Sequence, residues 1–531
     1  MSFSRKYLGI PYGLFLILFV AAPLLVLVYY AFTNGQGQFS MVNLQNFFTD
    51  PNTLGTLCYS LVLAFVATAV CLIIAYPVAY ILSQSKLKRK AVILLLFVMP
   101  MWINFTLRIT ALKEILSMIE GNLAYYPFIN TIIGMTYDFL PFMILPLYTT
   151  LSKLDKSVIE AASDLGADNF QTFIKVILPL SVPGIVSGVS MVFLPAMTNY
   201  VVLDMLYNST YIMGSLIGSY FSAYDWHNGS MIALILLVII CIVTLVSGDK
   251  ESEKCWKRRT CIMKKFLKYM IICIVLLFMY IPILVLAVYS FTDAANIGAI
   301  HAFSMHNYVT LFTTPELINM IIGSVLLAVG SAVLATILGT TGAIGAFYSK
   351  GKVKGAMSVL NQVPVVNADV VTGFSICILL VVVLGVSKDT YIPLVVGHVI
   401  LSAPFVYLAV VPKLKQMDPS LYEAALDLGA TPVYALFKII IPQIASGIAS
   451  GFVMAVTLSL DDYFVATYTK PATFDTISTY VVNATKGSQT DIKTALWALS
   501  TIIFLIVIVV EIAINLAPAR KAVREEAGAD E

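Results

Sequence analysis

Charged residues are scarce in this sequence. Asp, Glu, Lys and Arg make up 11% of the 531 residues, whereas hydrophobic residues make up 59%. A soluble domain carries about 25% charged residues, so this composition excludes an ordinary soluble protein. About 20 apolar residues of helix cross a bilayer, and the backbone there must satisfy its own hydrogen bonds. The long uncharged runs therefore predict an all-α polytopic membrane protein.

Patterned metal ligands and catalytic groups are also lacking. The seven cysteines and four histidines are scattered without ligand spacing, so we expect neither a metal site nor disulfides. No nucleophile, base and orienting group stand at a recognisable spacing, which leaves no candidate catalytic residue. The chain has no Gly-x-x-x-x-Gly-Lys-Ser/Thr motif, so ATP would be handled by another protein. A net charge of +3 gives no support to nucleic-acid binding.

Twelve apolar stretches are long enough to span a bilayer. With the N-terminus in the cytoplasm, 26 of the 32 Lys and Arg residues fall on the cytoplasmic side, so both termini are predicted to be cytoplasmic. The first stretch is too long for a signal peptide and recurs in the second half, which indicates an uncleaved span. The predicted spans are 11–32, 57–82, 91–110, 131–150, 184–206, 230–248, 267–291, 321–348, 357–386, 391–412, 447–468 and 494–516.

The sequence repeats itself. Residues Glu160 to Gly188 recur as Glu423 to Gly451, 263 residues later, with 14 identities in 29 positions. Because each half has six spans, both halves insert the same way, as parallel six-helix repeats. We predict a first half at 1–248, a linker at 249–264, a second half at 265–517 and a cytoplasmic tail at 518–531. The charged linker is interpreted as a solvated tether, with a regulatory segment as the alternative.

The repeated element is a polar loop, at 155–180 and again at 418–443. Asp155 or Asp418 would cap a first short helix, or Ser157 and Ser420 would do so in a capping box. A glycine would end that helix in the left-handed conformation. A second helix would run to Pro179 or Pro442, where the chain turns back into the membrane. The alanine pair would leave a small-residue surface for a partner, and the duplication predicts two partner copies.

This loop resembles the EAA loop of ATP-binding-cassette importer permeases: Glu-Ala-Ala, a glycine six residues after the glutamate, and a proline thirteen residues later. The resemblance implies the type I importer permease fold with twelve transmembrane helices. It also implies two copies of a separate cytoplasmic ATPase subunit, which would bind ATP and Mg²⁺. The residues that would couple to this ATPase are Glu160, Ala161, Ala162, Gly166, Glu423, Ala424, Ala425 and Gly429.

Further motifs resemble the two permeases of bacterial spermidine/putrescine importers. Residues 1–248 resemble the first permease through Pro195-Ala196-Met197, and residues 265–516 resemble the second through Ser459-Leu460-Asp461-Asp462. Thr198-Asn199-Tyr200 departs from the first permease's pattern by one missing acid. The resemblance implies polyamine import across the bacterial cell membrane, with cargo delivered by an extracytoplasmic polyamine-binding protein.

Acidic residues in the apolar spans fit a cationic cargo, because an unpaired charge there costs about 3 kcal/mol. Carboxylates in a water-filled cavity would bind ammonium groups, and aromatic rings would add cation-π attraction. Alternatives are solvation at helix ends or pairing of Asp461 and Asp462 with Arg108, and packing for the aromatic residues. The predicted substrate path comprises Asp461, Asp462, Asp369, Asp204, Trp102, Tyr200 and Tyr463; Asp138 and Glu511 are more typical of an interface.

Two alternative functions remain open from the sequence. Fused permeases of the same family with two such loops also carry ferric iron or thiamine, and acidic residues suit those cations too. Twelve spans in two parallel halves are also typical of a secondary transporter. The paired loops would have no role in that mechanism.

Overall fold

The computed structural model describes residues 5–85, 90–154, 167–246, 265–294, 302–418, 420–486 and 492–509, together with Val158, Ala162 and Asp164. The predicted linker, the predicted tail and Glu511 lie outside these residues. In the first half, the helices are α1 Arg5–Ala31, α2 Val42–Thr49, α3 Pro51–Gln84, α4 Lys90–Val98, α5 Phe105–Glu120, α6 Pro127–Ser152, α7 Phe173–Ala196, α8 Tyr200–Met205, α9 Met213–Ser222 and α10 Trp226–Val246.

The second half repeats this order, and the helix of its polar loop lies within the described residues. Its helices are α11 Lys265–Tyr289, α12 His306–Thr313, α13 Pro315–Phe347, α14 Gly351–Val366, α15 Asp369–Val383, α16 Ile392–Gln416, α17 Ser420–Asp427, α18 Pro432–Asp461, α19 Phe464–Thr469, α20 Ile477–Lys486 and α21 Ile492–Val509.

Most of the predicted spans are confirmed as long apolar helices. The described residues contain nine helices long and apolar enough to cross a membrane, or eleven if two bent pairs each count as one span. The predicted span 230–248 corresponds to α10, whose apolar described stretch, Trp226–Ile239, is shorter. The chain is thus an all-α, multi-pass membrane protein.

Two predicted spans are bent pairs of helices. The span 91–110 breaks between Trp102 and Phe105 with a bend of 94°, and the span 357–386 breaks between Val366 and Asp369 with a bend of 106°. At the first break, the Asn104 side chain accepts a hydrogen bond from the Thr106 amide and starts α5 as a new helix. Hydropathy does not report such a change of direction, because both arms are apolar.

The turns predicted at Pro179 and Pro442 are wrong. Helices α7 and α18 run through these prolines, so the spans placed at 184–206 and 447–468 begin about three and four helical turns earlier than predicted. A π-helical turn precedes each proline, at Phe173–Ile177 and Leu436–Ile440. Proline has no amide hydrogen to donate, and a π-helical turn lets the helix continue past this missing hydrogen bond.

The first helix of each half packs against the other half. The start of α1 lies on α13, where Gly9 and Gly345 bring the two backbones into contact. In the reverse direction, α11 packs against α3, α4 and α5. Tyr137 donates a hydrogen bond to the Met279 carbonyl at 3.3 Å, and Tyr280 donates one to the Leu96 carbonyl at 2.8 Å. Each half is therefore completed by a helix from its partner repeat.

Hydrogen bonds repeat along with the sequence. Ser60 accepts a bond from the Met213 amide at 2.9 Å, and Ser324 accepts the equivalent bond from the Ile477 amide at the same distance. Each residue of the second pair lies 264 residues after its equivalent in the first pair. The repeat is therefore a repeat of structure as well as of sequence.

Candidate functional site

Equivalent tyrosines from the two halves meet where α7 and α18 end. Tyr200 begins α8 and Tyr463 precedes α19, 263 residues later. Their ring centroids are 6.1 Å apart, with the planes at 73°. Phe464 packs against both rings and stacks on Phe105 of α5 at 6.3 Å. Two of the predicted path residues thus form an aromatic contact between the repeats.

Asp461 fastens α5 of the first half to the end of α18. Its Oδ1 accepts a hydrogen bond from the Phe105 amide at 2.5 Å, at the N-terminus of α5, where amide groups lack helical partners. Asn104 donates to the Leu460 carbonyl at 2.8 Å and to the Ser478 hydroxyl at 2.6 Å. Asp461 is partly buried, and its carboxylate links the two repeats.

Asp462 caps the short helix α19. Its two oxygens accept hydrogen bonds from the amides of Val465 at 3.1 Å and Ala466 at 2.7 Å. His398 of α16 approaches with Nε2 3.6 Å from Oδ2, while its Nδ1 lies 2.7 Å from the Ser459 hydroxyl. Asp462 is 7% exposed. The carboxylate therefore holds the backbone that presents Tyr463.

Asp369 is the first residue of α15, directly after the 106° break. Its side chain is exposed, and among the described residues nothing donates a hydrogen bond or ion pair to it. It nevertheless lies within electrostatic range of both Asp461 and Asp462. Asp369 therefore has its carboxylate available for a cation.

The alternative partner considered for Asp461 and Asp462 is wrong. Arg108 forms its ion pair with Asp138 at 2.8 Å, with both side chains buried, and it also donates from Nε to the Ile103 carbonyl at 3.0 Å. Asn199 donates to the other oxygen of Asp138 at 3.3 Å. The pair thus stabilises the break beside α5. Asp138 therefore lies where α5 contacts α6, in agreement with the interface position expected from the sequence.

Asp204 and Tyr200 line a cavity of about 420 Å³ between the halves. Tyr211, Phe221 and Tyr468 add aromatic surface, and six serine or threonine residues complete the wall. The volume falls within the range of about 300–1,000 Å³ typical of ligand pockets. The ammonium of Lys388 lies 4.7 Å from the centroid of the Phe221 ring, so one ring of this wall already contacts a cation.

Trp102 is placed differently from the other predicted residues. It ends the short 3₁₀ turn after α4 and is half-buried. Within the described part of the chain it joins neither the aromatic contacts nor the cavity wall. The structure therefore does not bring Trp102 together with the two tyrosines.

The second polar loop is a bent pair of helices. The Ser420 amide donates to Asp418 at 2.9 Å before α17, and the bonds from Ser420 hold the pKa of this carboxyl below its ordinary value. Gly429 ends the turn with φ at 87°, the left-handed conformation that favours glycine. Thr431 then caps α18 by accepting from the Tyr434 amide at 3.3 Å. These local features follow the predicted caps and stop.

Apolar side chains project from this loop. Glu423 and Ala424 are exposed, and Leu428 is 89% exposed. We call Glu423, Ala424 and Leu428, together with the four further exposed side chains named below, the coupling surface. Exposed apolar patches of this kind occur at contact sites with proteins or membranes. The further members are Leu421, Val433, Tyr434 and Phe437.

The alanine pair is only partly available to a partner. Ala425 packs against the protein core, and its equivalent in the first loop, Ala162, is 0% exposed. In the second loop the predicted small-residue surface is therefore limited to Ala424, because the other side of the helix packs against the rest of the chain. Glu160, Ala161 and Gly166 lie outside the described residues.

Several residues at the interface were missed from the sequence. His398 and Ser459 support Asp462, while Asn104 and Phe105 meet Asp461. His398 carries a signal, since it is a lone imidazole within a predicted apolar span. Asn104 could be found only by knowing that the third span breaks there.

The arrangement of two repeats, two broken spans and a duplicated loop agrees with the family comparison. The family described as "Binding-protein-dependent transport system inner membrane component" matches residues 75–248 and 337–522. These matches cover more than half of the chain, so the chain belongs to this family. It is a multi-pass transport permease containing two family units.

Individual relatives are permeases of about half this length. Spermidine/putrescine transport system permease protein PotB of Escherichia coli (strain K12) is 35% identical over 252 residues, covering 44% of this chain and 92% of the relative. PotB of Haemophilus influenzae is 36% identical over 253 residues, covering 44% and 88%. PotC of the same organism is 30% identical over 244 residues, covering 46% and 94%. The chain is therefore built as two such permeases fused.

Proposed function

We propose that this chain is the membrane subunit of an ATP-binding-cassette importer that carries polyamines, spermidine or putrescine, into the cytoplasm. The observation that carries the proposal is the contact of Tyr200 with Tyr463 at the interface of the two repeats, beside Asp461, whose carboxylate accepts a hydrogen bond from the first half. The names of the relatives support the substrate class.

The chemistry of the path suits a chain of ammonium groups. A polyamine ammonium would donate hydrogen bonds to Asp369 and to the second oxygen of Asp461, and methylene segments would lie against the tyrosine rings. Cation-π contacts would add about 0.5–2 kcal/mol each. The cavity with Asp204 would be the first binding site for cargo, which an extracytoplasmic binding protein would deliver. The tyrosine pair would separate this cavity from the cytoplasm.

Energy would come from separate ATPase subunits. Two copies would bind ATP and Mg²⁺ and would dock on the two EAA loops, one through the coupling surface of α17 and α18. Closure of the ATPases would draw the loops together and reorient the path. With both termini in the cytoplasm, as the distribution of Lys and Arg predicts, these loops face the same compartment.

The first experiment measures uptake of radiolabelled spermidine by cells that lack their own polyamine uptake and express this chain with its ATPase and binding protein. Putrescine, ferric citrate and thiamine serve as unlabelled competitors. Competition by putrescine alone supports the proposal. Absence of spermidine uptake by a folded, ATPase-bound complex would instead make ferric iron or thiamine the substrate to test. Uptake that persists with a catalytically inactive ATPase would instead indicate a secondary transporter.

Substitution of Asp369 tests its predicted contact with cargo. We expect Asp369→Asn to raise the KM for spermidine roughly tenfold, because a hydrogen bond to a charged group contributes about 1.5–3 kcal/mol. Asp389→Asn is the matched control, since Asp389 is an exposed aspartate in the connection between α15 and α16. Equal KM values for the two variants would remove Asp369 from the path.

A further inference from the structure

Two tyrosine rings enclose the guanidinium group of Arg5 at the start of α1. Its Cζ lies 3.8 Å from the centroid of the Tyr348 ring and 3.8 Å from that of the Tyr422 ring. Tyr348 follows α13, and Tyr422 lies in α17 immediately before Glu423. Tyr422 is 2% exposed, although its helix neighbours contribute to the coupling surface. Arg5 therefore connects the first helix of the chain to the second polar loop.

The geometry of this contact favours arginine. A guanidinium group is planar and always charged, so it stacks on two aromatic faces at once. A lysine ammonium is a compact, strongly hydrated point charge and would satisfy one ring better than two. The contact is thus a specific joint between α1, α13 and α17.

The first repeat cannot build the same joint. Gln84 stands at the position equivalent to Tyr348, 264 residues earlier, and Ile159 stands at the position equivalent to Tyr422, 263 residues earlier. Neither side chain has an aromatic ring to receive a cation. The two polar loops, so similar in sequence, therefore differ in how they can be tied to the transmembrane helices.

A continuous set of contacts leads from Arg5 to the substrate path. Helix α1 packs on α13 through Gly9 and Gly345, and one turn further the Tyr12 hydroxyl donates a hydrogen bond to Asn361 of α14. Helix α14 ends at Val366, directly before the break and Asp369. A displacement of α17 can therefore reach the break through packed helices.

We propose that Arg5 is a positioning residue for transport: it transmits movement of α17 to the break between α14 and α15, and it does so for the second polar loop alone. This inference rests on the proposed function, in which an ATPase subunit moves α17. Loss of the contact between Arg5 and the two tyrosine rings leaves ATP hydrolysis intact, but less of the displacement of α17 reaches Asp369.

The test uses the complete complex of this chain, its ATPase and its binding protein in proteoliposomes, with uptake and ATP hydrolysis measured together. Arg5→Gln is expected to lower the amount of spermidine transported per ATP by about fivefold, a typical size for coupling between sites. Arg5→Lys is expected to be intermediate. Lys6→Gln is the matched control, because it removes the same charge from the same helix end, while the cation-π contact of Lys6 among the described residues is with its neighbour Tyr7, at 5.2 Å.

Substitutions of Tyr422 complete the test. Tyr422→Phe keeps the ring and is expected to transport normally, whereas Tyr422→Leu should match Arg5→Gln, and the double variant should lose no more than either single variant. Equal transport per ATP in Arg5→Gln and Lys6→Gln overturns the inference, as does normal coupling in Tyr422→Leu. If the wild type carries thiamine or iron instead, the proposed substrate is wrong, and the same ratio measured with that cargo decides the role of Arg5.

Discussion

At the scale of single residues, the acidic pair at the end of α18 has divided roles. Asp461 accepts a hydrogen bond that joins the two repeats, while Asp462 uses both oxygens to cap α19. The sequence predicts both as path residues, because neighbouring acids in an apolar span look alike. Their different partners depend on the direction in which the chain leaves α18.

Substitution of Asp462 separates capping from charge. Asp462→Ala should lower the free energy of unfolding by about 0.5–2 kcal/mol, because α19 loses its N-cap. Asp462→Asn should recover part of that stability, because its amide oxygen can still accept one of the two hydrogen bonds, and it should keep the KM for spermidine within about twofold. Thermal unfolding in detergent and uptake measure the two effects. A large rise in KM for the asparagine variant would show that the charge itself contacts cargo.

For some predicted site residues, a feature of the backbone or of the repeat predicts the local geometry as well as the chemistry. Gly429 has the left-handed conformation expected of a helix stop, and Tyr200 and Tyr463 meet as equivalent residues of the two repeats. Only its aromatic ring makes Trp102 a candidate, and the structure does not bring it to the tyrosine pair. Chemistry names candidates, but only the path of the backbone brings them together.

At the scale of elements, the bend between α17 and α18 is the part most open to test. Gly429→Pro should uncouple ATP hydrolysis from uptake while membrane insertion stays intact. Proline cannot adopt a positive φ, and it removes the amide that donates to the Leu426 carbonyl at 2.9 Å. Gly429→Ala should have a smaller effect, since the left-handed conformation costs a non-glycine residue about 1–2 kcal/mol.

The control for this bend is Gly351→Pro. Gly351 is the first residue of α14, where proline is tolerated, and Lys350 before it already has the extended conformation that a following proline requires. We expect normal transport per ATP from this variant. If Gly429→Pro behaves like Gly351→Pro, the bend is not part of the coupling mechanism.

At the scale of the whole molecule, the exchange of first helices holds the repeats together. A Cβ atom at Gly345 would lie 2.0 Å from the Gly9 nitrogen and 2.2 Å from its Cα. Backbone atoms cannot move aside as a flexible side chain would, so Gly345→Ala should separate α1 from α13. We expect a loss of about 1–3 kcal/mol in stability, measured as a lower unfolding temperature of the purified chain.

Gly330 offers a matched control in the same helix. A Cβ there would meet no atom within 4 Å, and alanine favours helix over glycine by about 1 kcal/mol. Gly330→Ala should therefore leave the unfolding temperature unchanged or raise it. An equal decrease for both variants would mean that α13 tolerates no added methyl group, independent of its contact with α1.

The sequence by itself determined the class of protein, the two repeats and the local shape of the second polar loop. These properties depend on composition, on a fixed displacement along the chain and on residues within one helical turn of each other. Hydropathy records how apolar a segment is, whichever surface that segment faces.

Only the tertiary structure decided which segments meet. It introduced the breaks before α5 and α15, exchanged α1 and α11 between the halves, paired Arg108 with Asp138 and placed Arg5 between two tyrosine rings. Each of these contacts joins different helices, and none leaves a periodic signal along the chain. The physical reason is that the packing of helices selects among many equally apolar surfaces, and that selection is made by shape and by the pairing of a few polar groups.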